Sequence, residues 1–562
     1  MPSGSVARVR SRFAYLDVAL LLGALWLLLA VTAAQAQPAP ILLEGEVPEG
    51  APEYLLVPFE VPEGIVELEF RHRALPSGAG DILDFGLWDP QRFRGYGGGN
   101  TEPAILGVEA ASRSYLSGPL PAGTWRVLVG KAKLVSSPAR YRVELHLRSA
   151  PSGALSPQPE RRTYVPAAPL RGEARWYAGD FHVHSRESGD ARPTLDEIAS
   201  YARGRGLDFV VVTDHNTVSH LDFMRDAQSR HPELLLLPGV EFTTYRGHAN
   251  GIGAHAFADF RLGLEGRTIN DAARELAEGG AVFSINHPML DLGDACIGCK
   301  WEHGDSLERS RVGAVEIQTG AWSVTGAVFG EAPLRFWDAY CARGLRVAAV
   351  GGSDDHRAGV GTDALHSPIG SPTTLVWADE LSENAVVEAV RRGRTVVKLE
   401  GPDDPMVELI ALDAATGELR GRIGDTVRSA VTLRLTVTGG AGRQLRLVHD
   451  GRALPPVEVT ADPFVHELAF AAPVEGEQRV RAEVLVEGKP RTVTSHLWLA
   501  PAQGEPLGET GCGCTSQGAG GAGFGPWLLL GIGALWTLSC ARRGRTARAH
   551  RLAGCGRHPP GA

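Results

Sequence analysis

Sulfur is scarce in this 562-residue sequence, which has 7 Cys and 4 Met. Cys512, Cys514, Cys540 and Cys555 fall in the C-terminal tail, and Cys341 stands alone in a helical pattern as a small buried hydrophobe. Only Cys296-Ile-Gly-Cys299 remains. A single CxxC lacks the second pair that a structural zinc site needs, and in an exported chain it suits a disulfide. A basic surplus is lacking too. Lys and Arg number 56 against 65 Asp and Glu, a formal net charge of -9, so the charge balance favours neither nucleic acid nor an acidic membrane surface as partner. No close repeat links the sequence's two β-rich regions.

Both ends carry address labels. Arg8, Arg10 and Arg12 precede the apolar run LDVALLLGALWLLLAVTAA and then Ala34-Gln35-Ala36, the order of a secretory signal peptide over residues 1–36. An uncleaved anchor is the alternative. At the other end a Gly/Cys-rich linker (501–523) leads into FGPWLLLGIGALWTLSC, a transmembrane helix over 524–540, followed by a basic tail (541–562). The apolar run falls a little short of the ~20 residues that span a bilayer comfortably, and basic residues behind it hold a tail in the cytoplasm. This order of Gly-Cys, short apolar helix and Arg cluster resembles the MYXO-CTERM sorting signals. The resemblance implies an exported chain, at the cell surface or membrane-anchored, with its catalytic body outside the cytoplasm. A plain C-terminal anchor gives the same placement.

Between the labels the sequence predicts a multidomain protein. Residues 38–149 alternate short apolar runs such as IVELEFRH and YRVELHL with Gly/Pro turns, a period of two that reads as a β-sandwich. Residues 150–175 read as a linker. From Trp176 to about residue 400, buried strands such as LDFVVVTDH and RVAAVGGSDDH alternate with helical stretches such as TINDAARELAEGG, which argues for an α/β domain with parallel strands. Residues 401–500 return to β character and read as a smaller β-sandwich.

Polar residues close several apolar strands of the α/β domain. His182 and His184 sit two apart in Phe181-His182-Val183-His184, so a strand points both imidazoles to one face. Asp190 follows. His215 ends FVVVTDH beside Asp214, Glu241 ends LLLLPGVE, His248 and Asn250 follow, His287 ends VFSINHP, and Asp354 and His356 end VAAVGGSDDH. The carboxyl ends of strands are where α/β sheets and barrels bind ligands. A lone histidine is usually a satisfied core residue, but this many ionisable groups packed together carry a large desolvation penalty without a cation to share.

The HxH, TDH, E, NHP and SDxH segments, in this order, resemble the PHP (polymerase and histidinol phosphatase) superfamily, and the Gly-His-x-Asn segment with the N-terminal β region resembles its CehA/McbA metallohydrolases. The resemblance covers residues ~176 to ~400. It implies a distorted (β/α)7 PHP barrel flanked by N-terminal and C-terminal β-sandwich domains, with two or three divalent metal ions. His182, His184, Glu241 and Asp354 would hold the first, Glu241 would bridge to a second with His248 and His287, and Asp190, His215 and His356 would hold a third. His255 competes with His248 as the ligand after Glu241. Asp190 comes one residue later than the family's Ser-Asp-Gly spacing because Gly189 intervenes, which leaves two or three ions open. Asp214, Glu241 and His356 form the expected catalytic set, Asp214 either orienting His215 or bonding the strand-end backbone.

Imidazole with carboxylate suits Zn, Mn or Fe rather than calcium. Close-set cations of this kind lower the pKa of a bridging water, so hydroxide is available as the nucleophile of a metal-dependent hydrolase. The leading expectation is a phosphoesterase acting on a small-molecule phosphate ester. The alternatives are a carbamate or carboxyl ester hydrolase, whose aromatic walls Trp301, Trp322 and Trp337 could supply, and a non-catalytic surface binding protein. Arg186 and Arg357 are candidates for an anionic substrate group, with surface arginine the simpler account of each.

Overall fold

The computed structural model describes residues 39–76, 80–361 and 366–502. The expected signal peptide, transmembrane helix and basic tail, and all but two residues of the Gly/Cys-rich linker, lie outside the described residues. Among the described residues no helix is long and apolar enough to cross a membrane.

The first eight strands are β1 (Ile41–Val47), β2 (Tyr54–Val61), β3 (Glu67–Leu75), β4 (Ile82–Trp88), β5 (Phe93–Gly98), β6 (Ala104–Gly107), β7 (Gly123–Lys133) and β8 (Ala139–Arg148). They pair into two four-stranded sheets, β1-β8-β3-β6 and β2-β7-β4-β5. Alternation explains them. In β8 Ala139, Tyr141, Val143, Leu145 and Leu147 are buried while the residues between are more exposed. Residues from both sheets, among them Phe70, Phe85 and Trp125, share one apolar core. The segment 150–174 forms no helix or strand, yet it is held down: Arg161 pairs with Asp222 at 2.9 Å and the Tyr164 hydroxyl donates to Glu383 at 2.7 Å.

The middle region runs β9 (Arg175–Val183), α1 (Leu195–Gly204), β10 (Phe209–Val212), α2 (Leu221–Arg230), β11 (Leu235–Thr244), β12 (Gly247–Ile252), α3 (Ile269–Glu278), β13 (Val282–Ile285), β14 (Ala314–Thr319), α4 (Trp322–Phe329), α5 (Ala332–Cys341), β15 (Ala348–Gly352), β16 (Thr373–Ala378), α6 (Glu383–Arg391) and β17 (Thr395–Lys398). The sheet order is β15-β14-β13-β12-β11-β10-β9-β16-β17. It curls until β15, at one end, comes back beside β9. Val183 bridges Asp355 in parallel, and the Asp354 N–H donates to the His182 carbonyl at 2.9 Å. This closure carries the carboxyl ends of β9 and β15 together.

Seven regular βα units do not form. β12 is antiparallel to both β11 and β13, returning through a hairpin where a parallel strand would need a helical crossover. β13 reaches β14 through three short 3-10 turns rather than an α-helix. Pro288 and glycines 293, 298 and 304 punctuate that crossing and break a helical pattern.

The last strands are β18 (Met406–Asp413), β19 (Leu419–Arg422), β20 (Thr426–Val427), β21 (Val431–Thr438), β22 (Gln444–His449), β23 (Arg452–Ala453), β24 (Val457–Glu458), β25 (Phe464–Phe470), β26 (Gln478–Val486), β27 (Lys489–Thr494) and β28 (Leu497–Leu499). One sheet, β19-β18-β21-β25, is separate, but β27 pairs antiparallel with β17 and so extends the curled sheet. Pairing satisfies the open edge of β17. The C-terminal β region is therefore continuous with the middle region, and its core includes Val396 of β17.

Candidate metal centre

β10 explains why the site forms where it does. All four of its residues, FVVV, are buried, so the strand is fixed on both faces and the first polar residues after it emerge at its carboxyl end. β13 and β15 are likewise buried throughout, β9 and β11 are buried where they reach the site, and all of them deliver polar residues to one mouth of the curled sheet.

Glu241 stands at its centre, fully buried. Its carboxylate lies 3.4 Å from His182 Nε2, 3.6 Å from His184 Nε2, 2.7 Å from His215 Nδ1, 3.2 Å from His248 Nδ1 and 3.3 Å from His287 Nε2. Asp354 lies 3.3 Å from His182 Nε2 and 3.0 Å from His184 Nε2. Asp190 lies 3.4 Å from His215 Nε2 and 3.5 Å from His356 Nε2. Three groups result whose donor atoms fall within 4.8 Å of one another: His182, His184, Glu241 and Asp354; Glu241, His248 and His287; and His184, His215 and His356. A fourth such group pairs His248 with Cys296 and Cys299, but those two sulfurs are joined in a disulfide.

Most of these rings are held from behind. His182 Nδ1 meets Glu316 at 3.2 Å, His184 Nδ1 meets the Ser188 hydroxyl at 3.3 Å, and His215 Nδ1 meets the Thr243 hydroxyl at 2.8 Å. His356 Nδ1 donates to the Asp354 carbonyl at 2.8 Å. Outer partners of this kind fix tautomer and ring angle and raise a ligand's basicity.

The electrostatics are those of a cation site. Burial alone would lower the pKa of His182, yet Asp354, Glu241 and Glu316 hold it well above its ordinary value. His356, despite burial, is raised to about 9 by Asp190 and Asp354. His184 is lowered to about 4 by burial and by His356 and His215. Burial would raise Glu241, but His215, His182 and His248 hold it well below the usual carboxylate range. Positive charge is favoured in the pocket, and three buried atoms facing it, His182 Nε2, Glu241 Oε2 and His248 Nδ1, make no hydrogen bond. Such orphans are costly unless a ligand meets them. Backbone strain collects here too: His287, Asp354 and Asn216 adopt φ of 27°, 58° and 49° without being glycine.

The structure brings His182, His184, Asp190, His215, Glu241, His248, His287, Asp354 and His356 together. It does not bring Asp214 or His255. Asp214 is spent on Ser185, accepting from its N–H at 2.7 Å and its hydroxyl at 2.6 Å, so it braces the loop after β9 and does not orient His215. His255 pairs with Glu383, away from the cluster. Trp337 is fully buried, with its indole N–H on the Val347 carbonyl, so it walls no pocket. Arg186 lies over the Phe223 ring, and Arg357 donates to the Gly361 carbonyl.

Sequence reasoning passed over Glu316 and Asn286. Glu316 also accepts from the His287 N–H at 2.8 Å, and the Asn286 amide donates to Glu241 at 3.0 Å. Glu316 closes the apolar pair Ala314-Val315 within β14 as Glu241 closes the apolar run of β11, so the signal was present in VGAVEIQTG.

No family model matches the chain, and no curated protein matches it. Several solved structures are similar to it, two of which follow. One is a two-domain protein containing a predicted PHP-like metal-dependent phosphoesterase from Bacteroides vulgatus ATCC 8482, 19% identical, covering 60% of this chain and 99% of its own, with a TM-score of 0.34. The other is an amidohydrolase from Chromobacterium violaceum with bound sulfate and no metal, 18% identical, covering 34% and 93%, with a TM-score of 0.22. At such identity and overlap the likeness assigns neither substrate nor site residues.

Proposed function

We propose that the chain is a metal-dependent hydrolase of the PHP type, a phosphoesterase acting on a small phosphate ester. The observation that carries this is Glu241, one buried carboxylate with five histidine nitrogens 2.7–3.6 Å away. His182, His184, Glu241 and Asp354 would hold one divalent cation, Glu241, His248 and His287 a second, and Asp190, His215 and His356 a third. Zinc, manganese or iron suits this donor set. Bound there, such ions would polarise the scissile phosphoryl oxygen and make a water acidic enough to attack near neutral pH.

The chain's own residues do the positioning. The side chains of His215, Asp354 and His356 are 20–22% exposed and that of Asp190 is 58% exposed, whereas the other donors are nearly fully buried. Substrate therefore approaches over Asp190 and His356, and the buried group behind holds its cation out of solvent. A second reading, a carbamate or carboxyl ester hydrolase, draws on an apolar crevice beside His287 lined by Met289, Leu290, Phe329 and Pro333, which at about 20 Å³ would have to open to take a leaving group. We place the protein outside the cytoplasm, anchored through its C-terminal segment.

Purified protein should carry two or three equivalents of divalent metal and hydrolyse p-nitrophenyl phosphate or its bis-ester in preference to 1-naphthyl carbamates. Glu241→Gln should lose cations and at least a hundredfold in rate, on the scale of removing several kcal/mol of charge stabilisation. A metal-free wild type, or full metal and activity in Glu241→Gln or His182→Ala, would end this reading.

A further inference from the structure

Two of the clustered histidines owe their orientation to one short loop. His287 Nδ1 lies 3.0 Å from the carbonyl oxygen of Cys299, and His248 Nε2 lies 3.3 Å from that of Ile297. A carbonyl oxygen only accepts, so in each ring that nitrogen carries the proton and donates. The other nitrogens, His248 Nδ1 and His287 Nε2, then present lone pairs, and both face Glu241 Oε1, at 3.2 and 3.3 Å. The loop that supplies both carbonyls is closed by the Cys296–Cys299 disulfide. It is seated tightly. Gly298 has φ of 81°, and a Cβ there would lie 2.1 Å from the Thr244 carbonyl oxygen at the end of β11. Cys299 is buried, whereas Cys296 is partly exposed on the wall of a groove of about 290 Å³ that also includes Lys133, Asp294 and Lys300.

We propose that the Cys296–Cys299 disulfide is a positioning device for the cation held by Glu241, His248 and His287, and that its reduction weakens that cation's binding selectively. The proposal rests on the hydrolase reading, because it needs that triad to be a cation site. Once the sulfurs part, only a long hydrogen bond from the Cys299 N–H to the Cys296 carbonyl, at 3.5 Å, and the seat of Gly298 still hold the loop, so the separation of the Ile297 and Cys299 carbonyls loosens and the two rings lose part of their shared support. The remaining histidines would be spared. His182, His184, His215 and His356 are braced by Glu316, Ser188, Thr243 and the Asp354 carbonyl, none of which belongs to the loop.

The full-length Cys296→Ser/Cys299→Ser variant, loaded with Mn²⁺, tests this. Serine removes the crosslink without adding thiol ligands. Titration should show one cation bound about 10- to 100-fold more weakly than in wild type, the usual effect of losing an outer partner of a ligand, with the others unchanged. Reduction of the Mn²⁺-loaded wild type with a water-soluble phosphine is the second measurement. Phosphorus attacks the Cys296 sulfur, the S–S bond breaks with Cys299 leaving, and water supplies the phosphine-oxide oxygen and the two thiol protons. About one equivalent of free Mn²⁺ should appear in the EPR spectrum and be taken up again on reoxidation. Where the double serine variant does not fold, this second measurement decides. Unchanged counts and affinities, even with a lower melting temperature, would overturn the proposal, and so would uniform loss of every cation. A wild type that binds no Mn²⁺, Zn²⁺ or Fe²⁺ at all removes the hydrolase reading itself. A wild type that binds them with no response to either perturbation removes only the role of the disulfide.

Discussion

Glu316 does for His182 and His287 what a structural carboxylate does in many metal centres. One oxygen meets His182 Nδ1 and the other accepts from the His287 N–H and the Thr319 hydroxyl at 2.7 Å. It touches both buried groups of donors without belonging to either. If the two proposed buried cations are bound, removing its charge should loosen both together, in contrast to the single cation proposed to depend on the disulfide loop. Glu316→Gln keeps the shape and some of the hydrogen bonds, so the fold should persist while affinity at two sites falls by about tenfold or more. Calorimetric titration of wild type and variant reads this directly, and two unchanged binding constants would show that Glu316 is only a core polar residue.

At the scale of elements, α5 joins the curled sheet to the C-terminal strands through one carboxylate. Asp338 on α5 meets Arg479 at 2.9 Å, Arg481 at 2.9 Å and His496 at 3.3 Å. Burial would raise its pKa, but hydrogen bonds from His496 and Arg479 and the charge of Arg481 hold it well below the usual carboxylate range. A carboxyl depressed on folding contributes stability above its unfolded pKa of about 4 and loses that contribution as pH falls below it. Asp338→Asn should therefore cost roughly 2–3 kcal/mol near neutral pH, somewhat under the value for a fully buried pair, and the difference from wild type should shrink toward pH 2. Denaturant melts at pH 7 and pH 3 check the sign, and a gap that widens in acid would refute it. Elements also show how far sequence reading reaches. A buried apolar strand ending in a histidine or carboxylate is visible in one dimension, because both the run and the residue that closes it are local. The antiparallel β12 and the helix-free crossing to β14 are not visible in this way, since each depends on which strand the chain meets next. The continuity of β17 with β27 joins residues about a hundred positions apart, beyond any local pattern.

For the whole molecule, the N-terminal β region braces the loop that leads to the candidate site. Arg113 donates to the Ala191 carbonyl at 3.0 Å and the Ser114 hydroxyl to the Glu187 carbonyl at 2.7 Å, so the loop carrying Asp190 is pinned from outside the curled sheet. The Tyr96 and Tyr245 hydroxyls both donate to Asp84 at 2.8 Å, tying that region to the hairpin of β11 and β12 as well. The glycine at position 189, just before Asp190, has a physical reason. A Cβ at Gly189 would lie 2.7 Å from the Gly97 carbonyl oxygen of β5, a backbone atom that cannot swing aside. Gly189→Ala should push the Asp190 loop off that surface and move its carboxylate away from His215 and His356. Binding at this exposed cation site should weaken at least tenfold, while the two buried sites keep their affinities and the melting temperature drops only slightly. The variant thus separates support of the loop from stability of the fold: equal loss at all sites would mean that Gly189 matters for folding, and no loss at any would mean that Asp190 is not a ligand.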